Sequence, residues 1–244
     1  DKLMEFEFGR FLICNKGANG YWTDQLLSWT SSSKKKFCNE VEEFLYKHAF
    51  VTRSSRERFF IFQQQIQKRL RENIRIASIP CGIMKDLFTL NFNDIKNVNL
   101  IGVDIDKESL DLAHELATKL KLEPILYCQD AWSLMLNSQL DIITSSGLNV
   151  YESDREKVIS LYKRFLNQLA PSGVLITGIL TPPPFENASE STWKVKHNEE
   201  KYLGFERVLF SDILDLNWRN FKTEKEIKEE LQEAGFKKNE IIYD

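Results

Sequence analysis

An apolar run at residues 74–79 ends in a turn of small residues around Gly82, and a second apolar run ends in Asp104, 22 residues further on. In a doubly wound α/β fold, the backbone N–H groups of such a turn approach a ligand, and the acid after the second strand accepts hydrogen bonds from two ribose hydroxyls. This spacing predicts an α/β protein that holds a cofactor containing a nucleoside.

Short β-branched runs recur along the chain and alternate with longer amphipathic stretches. Strands separated by helices are typical of βαβ units, so we expect an α/β fold with a doubly wound, mainly parallel Rossmann-like sheet. The strands are predicted at residues 74–79, 98–103, 124–128, 140–145 and 173–179.

Two helices in the C-terminal half have clear boundary signals. Ser153 and Glu156 have the spacing of a capping box, which predicts a helix start. Gly235 supplies a C-cap for a helix near 223–234, and a short strand at 240–243 is expected after it.

The composition, with 42% hydrophobic and 28% charged residues, is that of a soluble globular protein. The net charge of −3 gives no electrostatic footprint for nucleic acid, so a nucleic-acid partner is not expected. Because no run of 18 apolar residues exists, we expect no membrane-spanning helix and no membrane partner. The first residues do not resemble a signal peptide, and a cytoplasmic location is predicted.

The cysteines do not form a metal-binding pattern. Cys14, Cys38, Cys81 and Cys128 are widely scattered, no Cys-x-x-Cys pair occurs, and the chain has only three histidines. We therefore expect no metal site, and we interpret the cysteines as small apolar residues in a reducing compartment.

Residues 1–72 are rich in aromatic side chains and show helical periodicity at 37–50 and 55–70. We interpret them as a helical N-terminal cap and not as an independent domain. The second helix is predicted to turn an apolar stripe inward, formed by Phe59, Phe60, Phe62, Ile66 and Leu70.

Residues 73–244 are predicted to form the cofactor-binding domain, with an insert at about 181–221. The insert begins with three prolines, which cannot continue a strand, and leaves the carboxyl edge of the fifth strand. Open α/β sheets bind ligands at this edge, so the insert and its residues Trp193, His197 and Trp218 are expected at the mouth of the site.

Six segments carry family motifs in a consistent order and spacing. They are Ile-Ala-Ser-Ile-Pro-Cys-Gly at 76–82, Gly-Val-Asp-Ile-Asp at 102–106, Gln-Asp-Ala-Trp at 129–132, Leu-Asp-Ile-Ile-Thr-Ser at 140–145, Leu-Ala-Pro-Ser-Gly-Val-Leu-Ile at 169–176 and Leu-Gln-Glu-Ala-Gly-Phe at 231–236. Together they resemble class I S-adenosylmethionine-dependent methyltransferases over about residues 73–243.

The resemblance implies S-adenosylmethionine as cofactor and S-adenosylhomocysteine as product. The turn at Pro80, Cys81 and Gly82 resembles the segment that cradles the methionine part of the cofactor. Asp104 matches the acid that binds the ribose hydroxyls, and Ile105 matches the apolar residue that packs on adenine.

The adenine side is completed, by the same resemblance, after the third strand. Asp130 matches the acid that accepts from the adenine amino group, and the N–H of Ala131 faces a ring nitrogen. Trp132 is positioned to cover the ring. Ser145 and Ser146, at the end of the fourth strand, are assigned to the cofactor site as well.

The turn departs from the family pattern of an acid followed by three alternating glycines. Ser78 stands at the acid, Pro80 at the first glycine and Met84 at the third, so only Gly82 is kept. A nicotinamide dinucleotide also needs three glycines in this turn. Asp130 and the final Ala-Gly-Phe favour the methyltransferase over that alternative.

The chemistry of methyl transfer does not point to one particular catalytic residue. A sulfonium methyl is already activated, so the protein mainly aligns a nucleophile for in-line displacement, and a base is needed only for a protonated acceptor. The candidates are Asn149, Tyr151 and His197. The segment that begins at Ser146 reads Ser-Gly-Leu-Asn, unlike the Asn/Asp-Pro-Pro-Tyr that family members acting on exocyclic amines often carry there.

The segment Gly17-Ala18-Asn19-Gly20-Tyr21-Trp22 has two interpretations. Glycines beside an asparagine form flexible or tightly turned loops, and an aromatic pair can close over a ligand. The segment is either a lid, in which Tyr21 and Trp22 contact the cofactor, or a turn whose aromatics anchor the cap to the core.

These observations predict transfer of a methyl group from S-adenosylmethionine to an acceptor, most simply a small molecule. The alternatives are a non-catalytic cofactor-binding or interaction protein that kept the fold, and a protein or RNA methyltransferase. Family members typically end in an antiparallel hairpin, whereas one strand is expected here. The sheet is therefore predicted to have six strands, or its last strand lies outside this sequence.

Overall fold

The computed structural model describes residues 1–136, 139–216 and 220–243. Its five strands form one all-parallel sheet in the order β3-β2-β1-β4-β5. The strands are β1 (Arg75–Ser78), β2 (Asn99–Asp104), β3 (Ile125–Cys128), β4 (Leu140–Ser145) and β5 (Leu169–Thr177). The α/β class and the parallel sheet predicted from the sequence are confirmed.

Nine α-helices occur in the described part of the chain. They are α1 (Glu7–Asn15), α2 (Gly20–Ser28), α3 (Glu40–Lys47), α4 (Phe50–Gln67), α5 (Lys85–Phe88), α6 (Lys107–Leu120), α7 (Arg155–Gln168), α8 (Glu200–Arg207) and α9 (Glu224–Ala234). Short 3-10 turns lie at Lys2–Glu5, Asn149–Tyr151 and His197–Glu199, and a π-helical turn at Val208–Ile213 follows α8.

Apolar layers cover both faces of the sheet. On one face α7 and α9 pack on β1, β2 and β4, with Phe165 and Tyr162 fully buried. On the other face α4, α5 and α6 pack on the alternate residues of the same strands, with Ile66 and Met84 fully buried. Burial on this scale stabilises the fold by about 1.5–3 kcal/mol for each large apolar side chain.

A third apolar cluster joins the N-terminal helices to the insert. Residues from α1 and α3 share it with Leu209, Leu214 and Leu216, which follow α8. The helices expected at 37–50 and 55–70 are present as α3 and α4, so residues 1–72 are largely helical as predicted. The division at residue 72 stays a prediction.

The prediction that Phe60 belongs to the inward stripe of α4 is wrong. Phe62 and Ile66 are buried and Phe59 is half-buried, but Phe60 is 60% exposed. One residue advances a helix by about 100°, which takes Phe60 off the face that the spacing 59, 62, 66 keeps inward.

Two predicted boundaries differ from the structure. The N-cap of α7 is Asp154, whose carboxylate accepts from the N–H groups of Glu156 and Lys157, so the expected capping box at Ser153 is wrong by one residue. A carboxylate at this position also complements the helix dipole, which favours it over a serine. The capping of α9 is confirmed, because Gly235 adopts a φ of +106° there.

The strand expected at 240–243 is absent from the described residues, and with it the predicted sixth strand. Residues 237–240 are polar and exposed, so the segment buries little apolar surface against the sheet. In the same described part of the chain, no helix combines the length and apolarity needed to cross a membrane.

Candidate cofactor site

The loops that follow β1 and β2 meet at the carboxyl edge of the sheet. Asp104, the last residue of β2, is buried, and its Oδ2 accepts from the Gly82 N–H at 2.7 Å. Its Oδ1 accepts from the Asp106 N–H at 3.0 Å. The carboxylate predicted to bind ribose therefore also fixes the turn predicted to cradle the methionine part.

The turn itself is held close to β2. The Cys81 N–H donates to the Val103 carbonyl at 2.9 Å, and Gly82 adopts a φ of +51°. A non-glycine residue at that φ would be strained, and a Cβ there would lie 3.1 Å from the Gly20 Cα, so the backbone and the close neighbour both favour the one glycine kept from the family pattern. Burial raises the pKa of the Cys81 thiol, with the carboxylates of Asp104 and Asp86 adding to the effect.

Met84, which replaces the third glycine, is fully buried at a φ of +63°. Its bulk is accommodated by Gly102 on β2, where a Cβ would lie 2.9 Å from the Met84 sulfur and 3.0 Å from the Cys81 sulfur. The departure from the motif is therefore matched by a glycine on the neighbouring strand.

The predicted adenine side is open to solvent. Ile105 is 71% exposed, which is unusual for an isoleucine and leaves an apolar surface beside Asp104. The Gln129 N–H donates to the Asp104 carbonyl at 3.0 Å, which brings the ends of β2 and β3 together. The exposed Asp130 follows directly, so the two acids predicted for the cofactor lie at the carboxyl ends of adjacent strands.

The Asp130 side chain organises its own turn. Its Oδ1 accepts from the Trp132 N–H at 3.0 Å. Ala131 is buried, and Trp132 is half-buried with its ring packed against the core layer of α7 and α9. The ring of Trp132 therefore contributes to the core, and its predicted cover of adenine stays a prediction.

The glycine-rich segment of the cap lies on the turn after β1. A Cβ at Gly20 would lie 2.6 Å from the Gly82 Cα and 2.6 Å from the Ser109 Oγ, so only glycine fits there. Asn19 caps α2 through a 3.1 Å bond from the Trp22 N–H, and its Nδ2 donates to Asp106 at 3.4 Å. This part of the cap thus forms a wall of the candidate site.

The two aromatic residues of this segment have different environments. Trp22 stacks on Phe8 with ring centroids 4.9 Å apart and joins the cap cluster, which supports the anchor interpretation for this residue. Tyr21 is 38% exposed and meets Trp22 edge-on at 5.0 Å.

The residues after β4 are held by the neighbouring strand and helix. Ser145 is buried, and its carbonyl accepts from the Gly178 N–H at 3.1 Å, whereas Ser146 is exposed. Asn149 is also buried, and its Nδ2 donates to the Tyr162 hydroxyl at 3.1 Å. Because its amide bonds a residue of α7, Asn149 fixes this loop, and its catalytic role stays a prediction.

Tyr151 lies in the loop after β4, beside the cap, and its catalytic role stays a prediction. A Cβ at Gly17 would lie 3.8 Å from the Tyr151 hydroxyl. Desolvation raises the pKa of that hydroxyl, and Arg58 of α4 opposes the shift. The Arg58 side chain passes over Gly178, where a Cβ would lie 3.1 Å from its Cδ.

Asp86 is a second acid that the sequence did not indicate. It accepts from the Ser78 hydroxyl at 3.0 Å and from the Thr144 hydroxyl at 3.1 Å. Burial raises the pKa of this carboxyl, and the two hydroxyl bonds oppose the shift. Ser78 stands where the family pattern has its acid, and in the structure the carboxylate of Asp86 reaches this serine.

The described insert residues make local contacts, and their expected position at the mouth of the site stays a prediction. The His197 side chain is 96% exposed and forms a 3.1 Å contact with Glu200. The Trp193 ring donates to the Thr181 carbonyl at 3.1 Å, and Trp218 lies outside the described residues. No cluster of three or more metal-ligating side chains occurs where the chain is described.

Solved structures identify the class of this fold. The mycolic acid cyclopropane synthase CmaA1, solved with SAH and CTAB, is 13% identical at a TM-score of 0.59, covering 92% of this chain and 75% of that protein. The S-adenosylmethionine-dependent methyltransferase SibL, solved in its apo form, is 14% identical at a TM-score of 0.55, covering 88% of this chain. The chain spans 55% of the length of SibL. The fold is that of the class I S-adenosylmethionine-dependent methyltransferases.

A nearer relative defines the family more narrowly. A protein described as a possible exported protein from Bordetella parapertussis is 34% identical at a TM-score of 0.89, covering 97% of this chain and 78% of that protein. The chain belongs to the same family as this Bordetella protein. No protein-family model and no curated protein matches the chain.

Proposed function

We propose that this protein transfers a methyl group from S-adenosylmethionine to a small-molecule acceptor and releases S-adenosylhomocysteine. One observation carries the proposal. The buried carboxylate of Asp104 bonds the N–H of Gly82 at the end of β2, between the turn after β1 and the exposed Ile105. A glycine turn, an acid and an apolar surface in this order suit a nucleoside joined to an amino acid.

The residues present fit such a cofactor. Each oxygen of Asp104 accepts one backbone hydrogen bond and has a second lone pair for a ribose hydroxyl. Ile105 offers an exposed apolar face to adenine, and the exposed Asp130 supplies an acceptor for its amino group. When bound, S-adenosylmethionine supplies a methyl group on a sulfonium centre that leaves as a neutral thioether.

The acceptor is proposed to meet the cofactor beyond β4 and β5. Tyr151, in the loop after β4, lies beside Gly17 of the cap, and the Arg58 side chain lies over Gly178, the first residue after β5. The work of these residues is to orient the acceptor and exclude water, because an activated methyl needs mainly alignment. Wall residues from the cap favour an acceptor of modest size over a polymer. We also propose a cytoplasmic location, which cell fractionation would test.

The test is calorimetric titration with S-adenosylmethionine and S-adenosylhomocysteine. We expect micromolar binding by the wild-type protein and at least a tenfold loss in Asp104→Asn, which keeps the shape but replaces one acceptor oxygen. Asp111→Ala, an exposed acid on α6, is the matched control and should bind normally. Absence of binding by folded wild-type protein would overturn the proposal and favour a non-catalytic interaction protein.

A further inference from the structure

The side chain of Asp86 joins the two central strands of the sheet. In the order β3-β2-β1-β4-β5, the chain adds β2 and β3 on one side of β1 and then β4 and β5 on the other, so the topological switch point lies between β1 and β4. Ser78 is the last residue of β1, and Thr144, its partner in the sheet, is the last but one of β4. The hydroxyls of both donate to the same oxygen of Asp86, its Oδ2, at 3.0 and 3.1 Å. The carboxylate therefore lies at the switch point, where open α/β sheets bind their ligands.

In the described part of the chain, no lysine, arginine or histidine forms an ion pair with Asp86. The residue is half-buried, and the bonds from the two hydroxyls use only one of its oxygens. Its sequence neighbour Lys85 turns to the cap instead, where the Lys85 Nζ pairs with Asp24 at 2.8 Å. Burial raises the pKa of the Asp86 carboxyl, because an acid taken out of water without a partner of opposite charge is poorly stabilised. A ligand with a positive charge at this point supplies that partner.

The position of Asp86 suits the amino-acid end of the proposed cofactor. It follows Gly82 by four residues, at the end of the turn whose small residues are predicted to cradle the methionine part. Asp104, which is predicted to bind the ribose, lies at the end of β2, on the other side of β1 from β4. Adjacent strands are about 4.8 Å apart, so the space between β1 and β4 lies roughly 7 Å from the end of β2. The amino-acid chain that leaves the ribose can span this distance, and it carries an ammonium group near its far end.

Resting on the proposed function, we propose that the carboxylate of Asp86 binds the ammonium group of the methionine part of the cofactor. An ammonium group has three N–H donors, and the Asp86 Oδ1 takes neither of the two hydroxyl bonds. A hydrogen bond between two charged groups is shorter than one between neutral groups and about twice as strong. Asp86 is then the residue that distinguishes the complete amino acid from a chain without the amine, and Ser78 and Thr144 orient it.

The experiment compares S-adenosylhomocysteine with its deamino analogue, which lacks only the ammonium group, by calorimetric titration of the full chain. We expect the wild-type protein to prefer S-adenosylhomocysteine by at least tenfold. Asp86→Asn keeps an oxygen for the hydroxyls of Ser78 and Thr144 but removes the charge, so the preference should fall below threefold. Asp111→Asn, which changes an exposed acid on α6 that pairs with Lys107, is the matched control and should keep the full preference.

A second variant changes the orientation of the carboxylate without removing its charge. Ser78→Ala removes one of the two hydroxyls that hold Asp86, so the preference should fall severalfold, but less than in Asp86→Asn. Equal binding of the two ligands by wild-type protein would overturn the proposal.

The proposal would also be overturned by an unchanged preference in Asp86→Asn, because a residue that only holds β1 and β4 together affects both ligands by the same factor. If Asp86→Asn does not fold, an unchanged preference in Ser78→Ala overturns the proposal in the same way. Wild-type protein that binds neither ligand would instead refute the proposed function.

Discussion

The buried Glu206 predicts a measurable pH dependence of stability. It lies on α8, is 6% exposed, and accepts from the N–H groups of Phe50 and Val51 at the start of α4. Burial raises the pKa of this carboxyl from 4.5 to about 7, against the opposing effect of the two N–H donors and of Arg53. The folded protein therefore binds this proton more tightly than the unfolded chain does.

The sign and size follow from proton linkage. Because the folded pKa is raised, the contribution of Glu206 to the free energy of unfolding is greatest below pH 4.5 and is lost as the pH rises to about 7. A difference of about 2.5 pH units corresponds to about 3 kcal/mol, at about 1.4 kcal/mol per unit. The docking of α8 on the start of α4 is thus expected to weaken in that window.

Glu206→Gln isolates the effect, because glutamine is neutral at every pH. Its NH₂ group faces one backbone donor, so we expect the variant to be less stable than wild type by about 1–3 kcal/mol at pH 4.5. This difference should shift by about 3 kcal/mol in favour of the variant by about pH 8, measured by urea unfolding at each pH. Glu115→Gln, an exposed acid on α6, is the control. Parallel stability curves for wild type and Glu206→Gln would refute the reasoning.

Two further predictions concern the cap segment. Trp22→Ala removes the stack on Phe8, so denaturation should show a loss of about 3 kcal/mol in the free energy of unfolding. Calorimetry should show less than a threefold change in S-adenosylhomocysteine affinity. A large loss of affinity with unchanged stability would instead support the lid interpretation. Gly20→Ala places a Cβ 2.6 Å from both Gly82 and Ser109, so we expect at least a tenfold loss of S-adenosylhomocysteine affinity. Normal affinity in the same titration would show that the cap segment at Gly20 moves independently of the turn at Gly82.

Features encoded by neighbouring residues could be predicted from the sequence. The five β-branched runs became the five strands, and the runs that lead into Gly82 and Asp104 placed these residues at one edge. The predicted strand at 240–243 failed because a short apolar run forms a strand only where a neighbour accepts it, and the residues before it are polar and exposed. The local sequence pattern therefore predicted the five strands correctly but added a sixth that the described residues do not form.

The polar residues that line the site depend on contacts between distant parts of the chain. Arg58 looks like one charge among several on α4, and its position follows from Gly178, 120 residues later. Asp86 looks like an ordinary residue of a first helical turn, and its role depends on the hydroxyls of Ser78 and Thr144. Neither contact has a periodicity or a motif, so the sequence alone could not indicate it.

The loss of glycines from the turn after β1 has a structural explanation. In a family member with three glycines, the small residues of the turn itself allow the ligand and the neighbouring backbone to come close to the turn. Here Met84 fills that space, and Gly102 on β2 and Gly20 on the cap provide the close approaches instead. Because Gly20 contacts Gly82, the cap forms part of the region predicted to hold the methionine part of the cofactor. The shape of that region therefore depends on both glycines. The eroded motif is therefore compatible with a working site, since the requirement for small residues has moved to two other segments.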